Sequence, residues 1–176
     1  IILSIILLTV SCDDFLVEKM NPEMSNLYIQ TEQGAIQHMT SIYETMKGEF
    51  CSQRAFHNTS AGVDEYLQAS DGSEKTFINY AVILPSHSGN WSNWQNWYVA
   101  INNCNILIEN LPDIPAEKVF LNEENRTTLM GEALFMRALY YYNAVLNWGS
   151  IPMPLEANLG DIYTSFEHET IPNIFS

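Results

Sequence analysis

Positive charge is the scarcest property of this sequence. Lys and Arg number 7 against 21 Asp and Glu, for a formal net charge of -14. So acidic a chain repels a phosphate backbone or an anionic lipid surface at most approaches, which excludes nucleic acid as a partner class but leaves neutral ligands such as sugars open. Cysteine is scarce too, with 3 in 176 residues, too few for a disulfide-built scaffold. Cys51 and Cys104 can pair in an oxidising compartment, yet nothing in their spacing demands it, and the simpler reading is two small hydrophobes. No apolar run reaches the roughly 18 residues that signal a spanning helix. The sequence also lacks a glycine-rich phosphate loop, a nucleophile elbow and any spacing of metal ligands, so neither a metal nor another cofactor is expected.

What the chain does have is apolar material. Hydrophobic residues make up 47% and aromatics 12%, too much for a disordered chain. The apolar stretch Ile1 to Val10 is typical in length of the core of a secretion signal. Thr9-Val10-Ser11-Cys12 resembles a lipoprotein cleavage box, which makes 1–11 a partial signal peptide and Cys12 the site of lipid attachment. Residues 12–30 read as a lipidated tether, with a turn at Asn21-Pro22 and no sustained period. The domain proper is then 31–176.

Three helices are predicted. In the first, Thr31 is a good N-cap, and Ala35, Ile36, Met39, Ile42, Tyr43 and Met46 form one apolar face that Lys47-Gly48 closes. His38 beside that face is read as a satisfied or exposed histidine. The second spans Trp91 to Pro112, with Trp94, Trp97, Tyr98, Ile101, Cys104, Ile108 and Leu111 as its core stripe. Asn105 falls on that stripe, so its amide needs a partner, from a neighbouring helix or from Arg137 through shared backbone groups. The third, from Glu123 after an Asn122 cap to Trp148, carries apolar residues on two faces. Leu129, Ala133, Met136, Tyr140 and Ala144 form one; Met130, Leu134, Tyr141, Val145 and Trp148 form the other. Arg137 sits within the second and is expected to make a buried ion pair with Glu132 or Glu109. Gly149 is a left-handed stop, and Pro152 and Pro154 keep the helix from resuming.

These residues carry a resemblance. Glu132, Arg137-Ala138, Tyr140 to Tyr142, Gly149 and Pro152, together with the Trp94, Tyr98, Ile101 and Asn105 spacing, are similar to the hallmark helices of the SusD/RagB family. The resemblance implies an all-α, SusD-like N-terminal helical domain with tetratricopeptide-like helix pairs and long irregular loops, truncated at its C-terminus. It further implies a cell-surface lipoprotein of the outer membrane, held by its lipid anchor, that binds an oligosaccharide and delivers it to a TonB-dependent, SusC-like transporter without itself being an enzyme.

Ligand contacts are sought in the long connection between the first two helices and at its end. Trp91 stands ahead of the core stripe in a Gly-Asn-Trp-Ser loop, where an exposed indole can stack on a sugar while Asn90 or Asn93 bonds its hydroxyls. The carboxylates Asp64-Glu65 and Asp71 to Glu74 read as solvated turns. Two alternatives remain open: a glycan hydrolase with Asp64 or Glu65 as acid/base, and a structural adaptor or lid of the transporter that binds no glycan.

Overall fold

The computed structural model describes residues 28–52, 60, 62–65, 88–114, 123–160 and 165–176. Cys12, the signal, most of the tether, His57, His87, Asp71, Glu74 and Asn122 lie outside them. Among the described residues the architecture is all-α: helix α1 (Glu32–Phe50), helix α2 (Ser88–Asn110) continued by a 3-10 turn (Leu111–Asp113), helix α3 (Glu123–Trp148) and a one-turn helix α4 (Ile171–Ile174). Extended pairing is limited there to a single bridge between Ile151 and Glu169.

α2 is the central element. It packs along both α1 and α3, which touch each other least. Its partners run in reverse order on each side. Gln30 meets Asn110, His38 meets Asn103 and Glu49 meets Asn96 and Trp97. Arg137 meets Asn105 and Trp148 meets Trp97. Three neighbouring helices therefore run up, down and up. Their shared core is formed by Met39 and Ile42 of α1, Ile101, Cys104 and Leu107 of α2, and Met136, Tyr140 and Ala144 of α3. The buried Tyr140 hydroxyl is satisfied by the Ile42 carbonyl at 2.8 Å, which ties α3 to α1.

The α1 start follows its sequence. Thr31 is extended (φ -96, ψ 152), and its hydroxyl accepts from the Gly34 amide at 3.0 Å. At the other end the helix outlasts Lys47-Gly48 and continues to Phe50. The reason is tertiary: Glu49, 5% exposed, is bonded by the Asn96 amide at 2.8 Å and the Trp97 indole at 3.1 Å. These bonds hold the last turn helical against α2.

α3 is apolar on two faces largely as expected. Ala133, Met136, Tyr140, Tyr141, Ala144 and Val145 are buried, and Met130 and Trp148 pack partly buried against the core, but Leu134 of the second face is 42% exposed. Phe135, Tyr142 and Leu146, which belong to neither face, are also exposed. Phe175 packs edge-on against Tyr142 at 6.1 Å. The helix ends as its sequence implies. Gly149 has φ 75, and its amide donates to the Val145 carbonyl at 2.8 Å. Cys51 and Cys104 are free thiols, one exposed and the other buried in the core. No helix among the described residues is long and apolar enough to cross a membrane.

Two glycines give opposite expectations. A methyl group on Gly34 would sit 1.9 Å from the Tyr28 carbonyl oxygen, whereas one on Gly131 meets nothing within 4 Å. Replacing glycine by alanine inside a helix ordinarily stabilises by about 1 kcal/mol. Gly131→Ala follows that sign, while Gly34→Ala destabilises by about 1 to 3 kcal/mol because the turn at Tyr28 must move. Thermal unfolding of the two variants side by side checks this.

Candidate functional site

After Gly149 the chain crosses back over α2 as an extended strap whose backbone pairing, among the described residues, is the single bridge from Ile151 to Glu169. Pro152 and Pro154 lack N–H groups and bias the residues before them to extended conformations, so this stretch can join neither a helix nor a regular ladder. Helix side chains satisfy it instead. The Tyr98 hydroxyl donates to the Pro152 carbonyl at 2.7 Å and the Tyr141 hydroxyl to the Pro154 carbonyl at 2.6 Å. Asn105 Nδ2 donates to the carbonyls of Pro154 (3.0 Å) and Glu156 (3.1 Å). Arg137 reaches the carbonyl between them, that of Leu155, at 3.3 Å. Asn102 and Asn158 exchange two bonds, and the Glu109 carboxylate accepts from the Ala157 amide at 2.7 Å.

Arg137 is therefore not in the expected ion pair. Its NH1 donates to Asn105 Oδ1 at 2.9 Å and to the strap, and Glu132 instead lies beside the Tyr43 phenol. The guanidinium is half-buried rather than enclosed, so an amide oxygen and a carbonyl are sufficient acceptors. Burial pushes the Tyr98 and Tyr141 phenols well up, which keeps both as hydroxyl donors at any ordinary pH. The Cys104 thiol beneath them is pushed up to about 12, again by burial, and is therefore no nucleophile.

Strap and helix enclose a cleft of about 740 Å³. One wall is a single face of α2: Trp91, Trp94, Gln95, Tyr98, Asn102 and Asn105 recur at helical spacing. The opposite wall is Pro152 to Glu156, joined by Asn158, Phe166, Glu167 and Glu169. Trp94 stacks on Tyr98 with ring centres 4.6 Å apart and meets Trp148 edge-on at 5.1 Å, so the rings at the back are fixed. Trp91 is left free at the mouth, 59% exposed. A smaller hollow of about 510 Å³ lies on the other side of Asn158, lined by Tyr28, Gln37, His38 and Ser41 among others. There His38 donates to the Asn103 carbonyl at 2.9 Å, and burial holds its pKa below the usual value, so it serves as a satisfied packing residue.

The proposed contact residues part company in three ways. Trp91 lines the cleft, though from the first turn of α2 and not from a loop, because the helix begins at Ser88. Asn90 is half-buried in that first turn and does not line it. Asn93 is only 3% exposed, turned inward by its position four residues before the buried Trp97, and its Oδ1 has no partner. The sequence signal that was missed is register: Trp91, Tyr98, Asn102 and Asn105 fall 7, 11 and 14 residues along one face. The strap wall had no such signal. Asp64 and Glu65 sit exposed on a turn and are not among the residues that line the cleft. Among the described residues no group of three or more His, Cys, Asp or Glu is placed to hold a metal ion.

An all-α unit with an aromatic cleft between a helix face and an extended strap is the geometry of a small-molecule binding module. Sequence comparison supplies the family. A family model described as SusD-like, "Starch-binding associating with outer membrane", matches residues 14–173. The chain belongs to this SusD-like family. It is 26% identical over 154 residues to SusD-like protein P38 of Formosa agariphila, covering 85% of this chain and 28% of that protein. It is 24% identical over 156 residues to SusD-like protein P25 of the same organism, covering 83% of this chain and 29% of that protein. The chain thus spans under a third of the length of these curated relatives. No solved structure gives a significant match.

The strap latch carries its own expectation. Asn105 is 1% exposed and bonds three groups, so Asn105→Leu strands the Arg137 donor and two strap carbonyls together and costs about 2 to 4 kcal/mol. Arg137→Met, at a half-exposed site without a carboxylate partner, costs only about 1 to 2 kcal/mol. Urea unfolding of both variants measures the order.

Proposed function

We propose that this chain is the glycan-binding N-terminal part of a surface lipoprotein that passes oligosaccharide to a TonB-dependent, SusC-like transporter in the outer membrane. The observation that carries the reading is the Trp91 cleft: an exposed indole at its mouth, fixed aromatic rings behind it, and the exposed amide of Gln95 on the same helix face. Sugar rings present apolar C–H faces and hydroxyl edges, and flat aromatics with nearby amides complement both. Membership of a family whose model is described as starch-binding supports the same ligand class. On this reading the role is binding without turnover, as the family resemblance implies.

Trp91→Ala is expected to weaken binding of a recognised glycan by about 1 to 3 kcal/mol, roughly 5- to 150-fold, with unfolding unchanged because the ring is exposed. Titration calorimetry on the complete protein measures it. Wild-type affinity in a folded Trp91→Ala protein moves the glycan site elsewhere, and failure of the wild-type protein to bind any glycan favours the adaptor role.

The anchor is part of the same proposal. Residues 1–11 are read as a signal and Cys12 as the acylated first residue of the mature chain, followed by a tether to residue 30. Two or more acyl chains supply stable membrane affinity where no spanning helix does. Cys12→Ser in the complete protein is expected to abolish labelling by a radioactive or clickable fatty acid and to shift the protein out of the membrane fraction. Persistent labelling rejects the assignment.

A further inference from the structure

The glycan reading leaves open which chemical class of sugar the cleft accepts, and the distribution of charge around it bears on that choice. The α2 wall is uncharged: Trp91, Trp94, Gln95, Tyr98, Asn102 and Asn105. The facing wall brings three carboxylates, Glu156, Glu167 and Glu169, to the same opening, and all three residues are exposed. Among the described residues no Lys, Arg or His lines the cleft. Arg137, the cation behind it, is already committed to Asn105 and the Leu155 carbonyl. Hydrogen bonds to the main chain fix the backbone at two of these glutamates. Glu169 is joined to Ile151 through its amide at 2.8 Å, and the Glu156 carbonyl is held by Asn105.

We propose, resting on the glycan reading, that the cleft selects uncharged oligosaccharides and rejects uronate or sulfated ones, with Glu156, Glu167 and Glu169 as the specificity-determining residues. A sugar carboxylate or sulfate entering beside Trp91 meets like charge on the opposite wall and finds no cation for compensation. Like charges held a few ångströms apart at a partly desolvated surface are penalised, and the penalty is screened by salt. The net charge of -14 adds a long-range barrier of the same sign, slowing the approach of a polyanion before it reaches the cleft. A neutral sugar pays neither cost. Rejection here comes from an element built against the wrong ligand, while affinity for the right one comes from the aromatic wall.

The test compares one glycan with itself. The complete protein is screened by affinity electrophoresis against neutral polysaccharides, and the best-bound glycan is oxidised at C6, which turns each CH2OH into a carboxylate without changing its linkage. The oxidised form is expected to bind about tenfold or more weakly at low salt, with the gap narrowing as ionic strength rises. In the E156Q/E167Q/E169Q variant the ratio of the two affinities is expected to move several-fold towards one. Because Gln keeps an acceptor for the Asn173 amide that Glu169 binds, the fold is retained, and E167Q alone provides a second reading in the same direction. Equal binding of both forms, a ratio the variants leave unchanged, or a wild-type protein that binds only anionic glycans overturns the selectivity. If Trp91→Ala still weakens binding of whichever glycan is recognised in that case, the cleft stands and only its charge selection falls. If no glycan is bound at all, both readings fall together.

Discussion

The structure depends on how an extended stretch that joins neither a helix nor a ladder is held. Between Pro152 and Asn158, two prolines remove donors that would let the segment enter a ladder, yet its carbonyls lie against the helices, where an unmade hydrogen bond is expensive. Tyr98, Asn102 and Asn105 from α2 and Arg137 and Tyr141 from α3 supply the missing donors. Asn105 is the pivot, since its two ends serve the strap and the guanidinium at once. One buried amide thereby couples both helices to the wall of the cleft.

α2 can play this part because its two faces have different duties. Trp97, Ile101, Cys104, Leu107 and Leu111 are buried against α1 and α3. The adjoining face, from Trp91 to Asn105, meets the strap. Trp94 and Tyr98 lie at the border and contribute to both, packing on the core while forming the back of the cleft. Rings fixed in this way are pre-organised, so a ligand stacking there orders little of the protein on binding. Trp91 at the mouth is more exposed than the rings behind it, which gives the cleft a fixed back and an open edge.

α3 shows the converse. Its buried face ties the bundle together through Tyr140 and Met136, while Phe135, Tyr142 and Leu146 remain exposed. Exposed aromatic and aliphatic side chains on one helix carry a solvation cost that a domain normally removes by covering them.

What could be read from the sequence was whatever depends on residues close together in the chain. The Thr31 cap, the Gly149 stop and the core stripe of α2 are local, because capping geometry and a period of 3.6 involve neighbours within a turn or two. The family motif was legible for the same reason, as short spacings within single helices. Where α2 begins was misjudged by three residues: Ser88, Gly89 and Asn90 are weak helix formers, and tertiary packing of the next turns overrode them. That shift decided the fates of Asn93, turned into the core, and Trp91, set at the cleft mouth. The stripe position of Asn105 already pointed to a link with Arg137, but it was tertiary structure that chose Asn105 and the Leu155 carbonyl over Glu132 and Glu109 as its acceptors. A guanidinium states only that acceptors are needed, and which ones arrive depends on where the strap crosses, a matter of packing over distances that no periodicity records.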